Sequence, residues 1–288
     1  MTTSSSEECI ARTIGNFRII MFIYGTAWKE DRTQELVALA LANGFRAFDT
    51  ANQRRHYVEA AVGAALAASG VARDTLFVQT KFTHRAGQDH RLPYDERAPI
   101  GEQVQQSFAS SLEHLGTTYI DSYVLHGPSA RDRLLEQDVA AWRAMEALHD
   151  RGVARQLGIS NVSLAQLEQL LGLARVRPAV VQNRCYARTG WDRDIRALCG
   201  AHGIAYQGFS LLTANRAELA RPAVDAVMQR SGLTRAQVAF RFALQVGMTP
   251  LTGTSSADHM REDLEIVLGQ DRALSAADVA IIEGIAAS

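Results

Sequence analysis

The stretch Ala47-Phe-Asp-Thr-Ala-Asn-Gln-Arg-Arg-His-Tyr-Val-Glu59 sets a carboxylate, Asp49, at the end of an apolar run and a phenol, Tyr57, at the entry to a segment rich in helix formers over 58–68. An acid at a strand's end and a phenol at the next helix can face one another across the intervening loop, where α/β folds carry their chemistry. Lys81 follows the apolar Leu76-Phe-Val78. An ammonium drawn in with such a strand is costly to desolvate unless a carboxylate pairs with it, and Asp49 on the preceding strand is a partner. A phenol with a pKa of about 10 is a poor acid at neutral pH, but a nearby ammonium stabilises its phenolate and lowers that pKa. Tyr57 is therefore a candidate proton donor. His126, at the end of a later strand, can bond the same substrate oxygen or relay the proton, or it can be a satisfied core histidine.

These residues need a scaffold that brings strand ends together. Strand-like runs occupy residues 17–24, 46–49, 76–81, 119–126, 156–160, 179–182, 205–209 and 249–252. Helical periodicity fills 33–43, 58–68, 100–115, 139–151, 164–173, 193–202, 223–231, 235–245, 257–268 and 275–286. Eight strands alternating with helices, with no linker or composition break, predict a single α/β domain, a (β/α)₈ TIM barrel over 1–288 with residues 1–8 as a frayed tail. A doubly wound sheet is the runner-up, although neither of the usual glycine-rich phosphate loops follows a strand. The barrel reading brings Asp49, Lys81, His126, Ser160, Asn161, Gln182, Phe209, Ser210, Thr254 and Ser255 to one mouth. Any one of them taken alone is an ordinary residue at a strand-to-loop junction.

Composition narrows the function classes. Thirty basic and 31 acidic residues leave a net charge of −1, which disfavours nucleic acid or an anionic membrane as partner. No apolar run reaches the length of a membrane span, and the N-terminus has no signal-peptide pattern. Cys9, Cys185 and Cys199 are too few and too scattered for a disulfide framework or a zinc site, and read as thiols of a reducing, cytoplasmic compartment. No metal site is expected.

In order along the chain, Tyr24-Gly-Thr-Ala-Trp28, Gly44-Phe-Arg-Ala-Phe-Asp-Thr-Ala51, Tyr57-Val-Glu-Ala-Ala-Val-Gly63, Gln79-Thr-Lys81, Leu125-His126, Gly158-Ile-Ser-Asn161, Val181-Gln182, Phe209-Ser210 and Gly253-Thr-Ser-Ser256 resemble the aldo-keto reductases. The likeness covers nearly the whole chain, and the Ala-Asn-Gln-Arg-Arg-His-Tyr loop is similar to that of a microbial subgroup. It implies NADPH-dependent reduction of an aldehyde or ketone, with Asp49, Tyr57, Lys81 and His126 as the catalytic tetrad. It further implies that Ser160, Asn161 and Gln182 hold the nicotinamide carboxamide and that Phe209 stacks on the ring. Gly25 and Thr26 would lie along the cofactor, Ser210 and Leu211 near its pyrophosphate, and Thr254, Ser255, His259 and Asp263 around the adenosine.

Two departures from the family pattern stand out. Tyr57 lies eight residues after Asp49 rather than five, and His56 falls on the aligned position. Tyr57 is preferred because an imidazole gains nothing from a lysine in the way a phenol does. At the places where the family often clamps the 2′-phosphate with lysine and arginine, this chain has Ser256 and His259, so NADH is an additional candidate cofactor. Arg261 should point elsewhere on helical spacing. The long 82–99 segment is expected to wall the substrate pocket, with Trp28, Phe82, Tyr94, Pro128 and Tyr186 as lining candidates; each can equally be packing between helices and loops. His84 and His90 read as solvated loop residues, and Arg54-Arg55 as surface charge. A small carbonyl compound is the expected partner and a monomer the favoured assembly. Two alternatives remain open: a scaffold or sensor that keeps NADPH without turnover, and a serine hydrolase, which would lack its Gly-x-Ser-x-Gly elbow.

Overall fold

The computed structural model describes residues 13–14, 17–18, 22–268 and 272–286; the expected tail and Cys9 lie outside them. A short antiparallel hairpin pairs β1 (Thr13–Ile14) with β2 (Phe17–Arg18). Eight further strands follow: β3 (Ile23–Gly25), β4 (Ala47–Asp49), β5 (Phe77–Phe82), β6 (Ser122–Leu125), β7 (Leu157–Ser160), β8 (Val180–Arg184), β9 (Ala205–Phe209) and β10 (Met248–Thr252). All pair in parallel and close on themselves in the order β10-β3-β4-β5-β6-β7-β8-β9. Closure excludes the doubly wound sheet. The expected strand over 17–24 is split, because Phe17 and Arg18 pair with the hairpin and only Ile23–Gly25 joins the barrel.

Helices α1 (Thr33–Ala42), α2 (Glu59–Ala68), α3 (Ile100–Leu115), α4 (Glu136–Asp150), α5 (Leu164–Leu173) and α6 (Arg193–Ala201) follow successive strands. After β9 come α7 (Arg216–Leu219), α8 (Pro222–Ser231) and α9 (Arg235–Gln245), and after β10 come α10 (Ala257–Leu268) and α11 (Ala276–Glu283). Their starts follow local chemistry: Ser163 with Gln166 and Thr234 with Gln237 form capping boxes at α5 and α9. Helix α4 begins three residues before the expected 139, because Asp138 accepts from Leu135 N at 2.8 Å and extends the first turn. Gly63 lets α2 press against α3, since a Cβ there would sit 2.0 Å from His114 O.

Period-two alternation sorts the strands into two faces. Tyr24, Phe48 and Val78 point out into the core between sheet and helices. Ile23, Ala47 and Leu251, with Phe77 and Phe209 against them, form a separate apolar cluster inside the barrel. The same alternation carries the inner face from Ala47 to Asp49, from Phe77 through Gln79 to Lys81, and from Ala205 through Gln207 to Phe209. A polar layer thus lies above the apolar cluster, toward the C-terminal mouth.

Candidate active site

Lys81 and Asp49 are both buried, with exposures of 1% and 3%. The ammonium reaches both carboxylate oxygens, at 2.6 and 2.7 Å, and donates its third hydrogen to Thr50 O at 2.8 Å. All three of its donors are occupied. Burial is the largest influence on Lys81 and lowers its pKa, with Asp49 opposing. Asp49 Oδ1 also accepts from Gln79 Nε2 at 2.7 Å and Gln182 Nε2 at 3.0 Å. Both amide groups donate to Gln207 Oε1, at 2.8 and 2.9 Å, and Gln207 Nε2 returns a bond to Gln79 Oε1 at 3.1 Å.

Tyr57 and His126 lie above this layer. The Tyr57 ring centroid is 5.3 Å from Lys81 Nζ and 6.0 Å from the centroid of His126. His56, at the aligned position, also lines the cavity, with its ring 3.9 Å from that of Trp28, which is 70% exposed at the rim. Tyr57, not His56, is the ring that stands over the Lys81 ammonium and against His126; in the 50–58 loop His56 N and Tyr57 N both bond Gln53 O, at 3.2 and 3.1 Å. Behind Tyr57, Glu59 accepts from Thr80 Oγ1 and lies 3.0 Å from His114 Nδ1, which raises the His114 pKa.

The expected lowering of the Tyr57 pKa is reversed. Burial first, and the Asp49 charge second, push the phenol well above its ordinary value. Bidentate pairing cancels most of the Lys81 field, and no ammonium hydrogen is left for the phenol. His126 is driven down to about 3 by burial and then by the Lys81 and His56 charges, so it is a neutral imidazole. Its Nδ1 is 2.7 Å from Thr83 Oγ1, and its carbonyl accepts from Asn161 Nδ2 at 2.8 Å.

A cavity of about 1010 Å³ opens over these groups. Asp49, Tyr57 and His126 line it, as do Gly25 and Trp28. Ser160, Asn161 and Gln182 form one wall, with Ser160 and Gln182 directly paired across β7 and β8. Asn161 Nδ2 also donates to Ser160 Oγ at 3.1 Å. Both amide carbonyl oxygens, Asn161 Oδ1 and Gln182 Oε1, accept from no described residue, and the Ser160 hydroxyl hydrogen is uncommitted. Phe209, Ser210 and Leu211 line the next wall. Trp28, Asn161 and Ser210, all on the cavity, have positive φ of 62°, 53° and 58°, the strained left-handed region for residues with a Cβ.

On the α9–α10 side, Thr254, His259, Glu262, Asp263 and Arg235 line the cavity. Arg235 is committed to Asp225 at 2.7 Å and to Leu219 O. Arg261 points elsewhere, as its helical spacing predicts, bonding Asp258 and Asn43. Asp263 is buried with one hydroxyl donor, Thr252 Oγ1 at 2.8 Å, and its carboxyl is raised to about 6, mainly by burial.

Several expected contacts fall elsewhere. Thr26 is buried, and its N–H and hydroxyl both bond Asp49 O at 3.0 Å, so it braces β4 and does not line the cavity. Ser255 is exposed outside the lining. Of the five pocket candidates only Trp28 lines the cavity: Phe82 and Tyr94 pack together at 5.7 Å with Tyr94 Oη on Thr83 O, Pro128 stands apart, and Tyr186 lies against Arg184 and Arg188. Nor does the 82–99 segment wall the pocket. Gln88 bonds Asn52 O, Gln53 bonds Gly87 O and Arg91 bonds Arg54 O, fastening that segment behind the loop that carries Tyr57. His84 is buried 3.0 Å from Asp138 rather than solvated. Gln79 and Gln207 are functional-site residues that sequence reasoning passed over, although each stands two places before an inward strand-end residue and so shares its face.

The chain matches the aldo/keto reductase family over residues 21–287. It is 32% identical over 253 residues to an aldo-keto reductase of Mycolicibacterium vanbaalenii, covering 88% of this chain and 82% of that one. An aldo-keto reductase of Mycobacterium tuberculosis is 32% identical over 237 residues, covering 82% and 77%. A crystal structure of an aldo/keto reductase from Brucella melitensis superposes with a TM-score of 0.79 at 26% identity, over 93% of this chain and 94% of that one.

Proposed function

The chain belongs to the aldo-keto reductases, a family of NAD(P)H-dependent oxidoreductases, and from that premise we propose that it reduces small aldehydes or ketones to alcohols with Tyr57 as proton donor. The observation that carries this reading is the buried Lys81–Asp49 pair beneath a phenol that faces a cavity beside a neutral histidine. A phenol held well above its ordinary pKa stays protonated and available to a carbonyl oxygen gaining negative charge. Lys81, 5.3 Å from the Tyr57 ring, steadies the phenolate left behind. His126, with Nδ1 engaged by Thr83, turns its other nitrogen to the substrate oxygen.

The wall residues fit a nicotinamide carboxamide. One hydroxyl donor on Ser160 and two carbonyl acceptors on Asn161 and Gln182 are the complement of a primary amide, which offers one acceptor and two hydrogens. A reduced nicotinamide bound there supplies the hydride. Gly25, Phe209, Ser210 and Leu211 border the same space; Phe209 would offer a flat face for the ring, and Ser210 and Leu211 would flank the pyrophosphate. Thr254, His259 and Asp263, which line the α9–α10 side of the same cavity, would meet the adenosine. NADPH is the family default, and NADH is accepted too, because the lining on that side mixes a committed arginine with two acidic residues. Trp28 borders an open substrate entrance suited to a range of carbonyl compounds. A cytoplasmic monomer completes the reading; no helix among the described residues is long and apolar enough to cross a membrane.

The test follows NADPH and NADH absorbance with a panel of aldehydes, ketones and sugars. Tyr57→Phe is expected to lower kcat by about 10²–10⁴ while leaving dinucleotide Kd unchanged, and His56→Ala to keep most activity. Wild-type turnover by Tyr57→Phe removes Tyr57 as donor. Tight binding without turnover favours the scaffold, and failure to bind either dinucleotide defeats both readings.

A further inference from the structure

We propose that Gln207 is a positioning residue that sets the amide orientation of Gln182, and thereby joins the Asp49–Lys81 pair to recognition of the carboxamide. The inference rests on the cofactor placement above. Asp49, paired with Lys81 through both oxygens, can only accept, so the amides of Gln79 and Gln182 must both turn their NH₂ groups toward it. Their second hydrogens then point at one atom, Gln207 Oε1, which accepts both at 2.8 and 2.9 Å. With its oxygen so placed, Gln207 directs its own NH₂ at Gln79 Oε1, 3.1 Å away.

One assignment of the three amides sets a donor against an acceptor at every contact in this ring; turning any of them over sets oxygen against oxygen or nitrogen against nitrogen. Gln182 Oε1 is the atom left over. It accepts from no described residue and belongs to a side chain lining the cavity, so the ring presents an acceptor, rather than a donor, beside Ser160 and Asn161. Gln207 is itself buried and does not line the cavity, so it acts through Gln182. The register supports the coupling, because Gln182 and Gln207 are direct partners across β8 and β9, and Asp49 and Gln79 across β4 and β5.

The experiment compares binding of NADPH with that of its 3-acetylpyridine analogue, in which a methyl ketone replaces the carboxamide and no N–H remains. Wild-type protein is expected to favour the carboxamide about tenfold, the scale of one amide hydrogen bond. Gln207→Leu should cut that preference to about twofold or less at unchanged fold by circular dichroism, because Gln182 loses one of its two acceptors. Gln207→Glu in its protonated form keeps an oxygen facing both amides and a hydroxyl facing Gln79 Oε1, and should restore the preference at low pH and lose it as the acid ionises. A simple packing role for Gln207 would not change the preference. An unchanged preference in Gln207→Leu, no preference in wild type, or loss of it at low pH in a folded Gln207→Glu overturns the proposal. If Gln207→Leu does not fold, Gln207→Glu decides alone. Failure of wild type to bind either dinucleotide instead defeats the cofactor placement.

Discussion

Two aspartates on the same cavity, Asp49 and Asp263, are each 3% exposed, yet their surroundings are opposite. Asp49 meets an ammonium and two amide donors; Asp263 meets one hydroxyl, and its carboxyl is raised to about 6. Equal burial therefore says little about an acid's electrostatic surroundings; the donors aimed at it decide those. The difference follows from architecture. Asp49 belongs to a strand whose neighbours also point inward, so donors from β5 and β8 converge on it. Asp263 sits on α10, where among the described residues Thr252 at the end of β10 is its one hydrogen-bond donor.

Lys81→Met tests that contrast most severely. It leaves Asp49 buried with only amide donors, and should cost about 3–5 kcal/mol of stability along with most of the activity. Adding Asp49→Asn should recover part of the stability but not the activity, as read by urea denaturation. Equal stability of Lys81→Met and wild type would show that the pair is not buried as described.

The pH dependence comes next. Because the Tyr57 pKa is raised, its acid form persists below that value and is lost only as pH climbs through it. Carbonyl reduction should therefore stay flat from about pH 6 to about pH 9, while alcohol oxidation, which needs the phenolate, should rise about tenfold per pH unit. His126, ionising at about 3, adds no limb in that range. A reduction rate that falls away near neutrality would assign the proton to another group.

For Asp263 the sign is reversed. Its folded pKa of about 6 lies above the ordinary 3.8, so the wild type loses stability as pH rises between those values and remains lower above them. Asp263→Asn keeps an acceptor for Thr252 and escapes that loss. Its advantage should open over the same interval and reach about 1–3 kcal/mol at neutral pH, measured by thermal unfolding. The smallest effect belongs to Glu262→Gln, which should shift the ratio of dinucleotide affinities toward NADPH by about two- to fivefold at low salt, fading as salt is added.

Much of this was legible in the residues. Alternating strand and helix runs foretold the barrel, and Asp49, Lys81, Tyr57 and His126 stood out because each is a reactive type at or near a strand end. Period two also put Gln79 and Gln207 on the inner face, but glutamine advertises no chemistry until its partners are known. Phe82, Tyr94, Pro128 and Tyr186 could not be placed, since whether a loop aromatic lines a cavity or packs behind it depends on the path of the whole loop. Thr26 was misassigned for a related reason: its hydroxyl is consumed by a carbonyl 23 residues away in the chain.

By itself the sequence determined the element order, the inward face of each strand and the reactive groups at the mouth, because helical and strand periods are local properties of the backbone. Tertiary structure alone decided the sign of the Tyr57 shift, the occupancy of all three Lys81 donors and the orientation of Gln182. Those depend on distances between groups far apart in the chain, as with Gln79 and Gln207, which bond across 128 positions, and on the dielectric that closing the barrel creates around them.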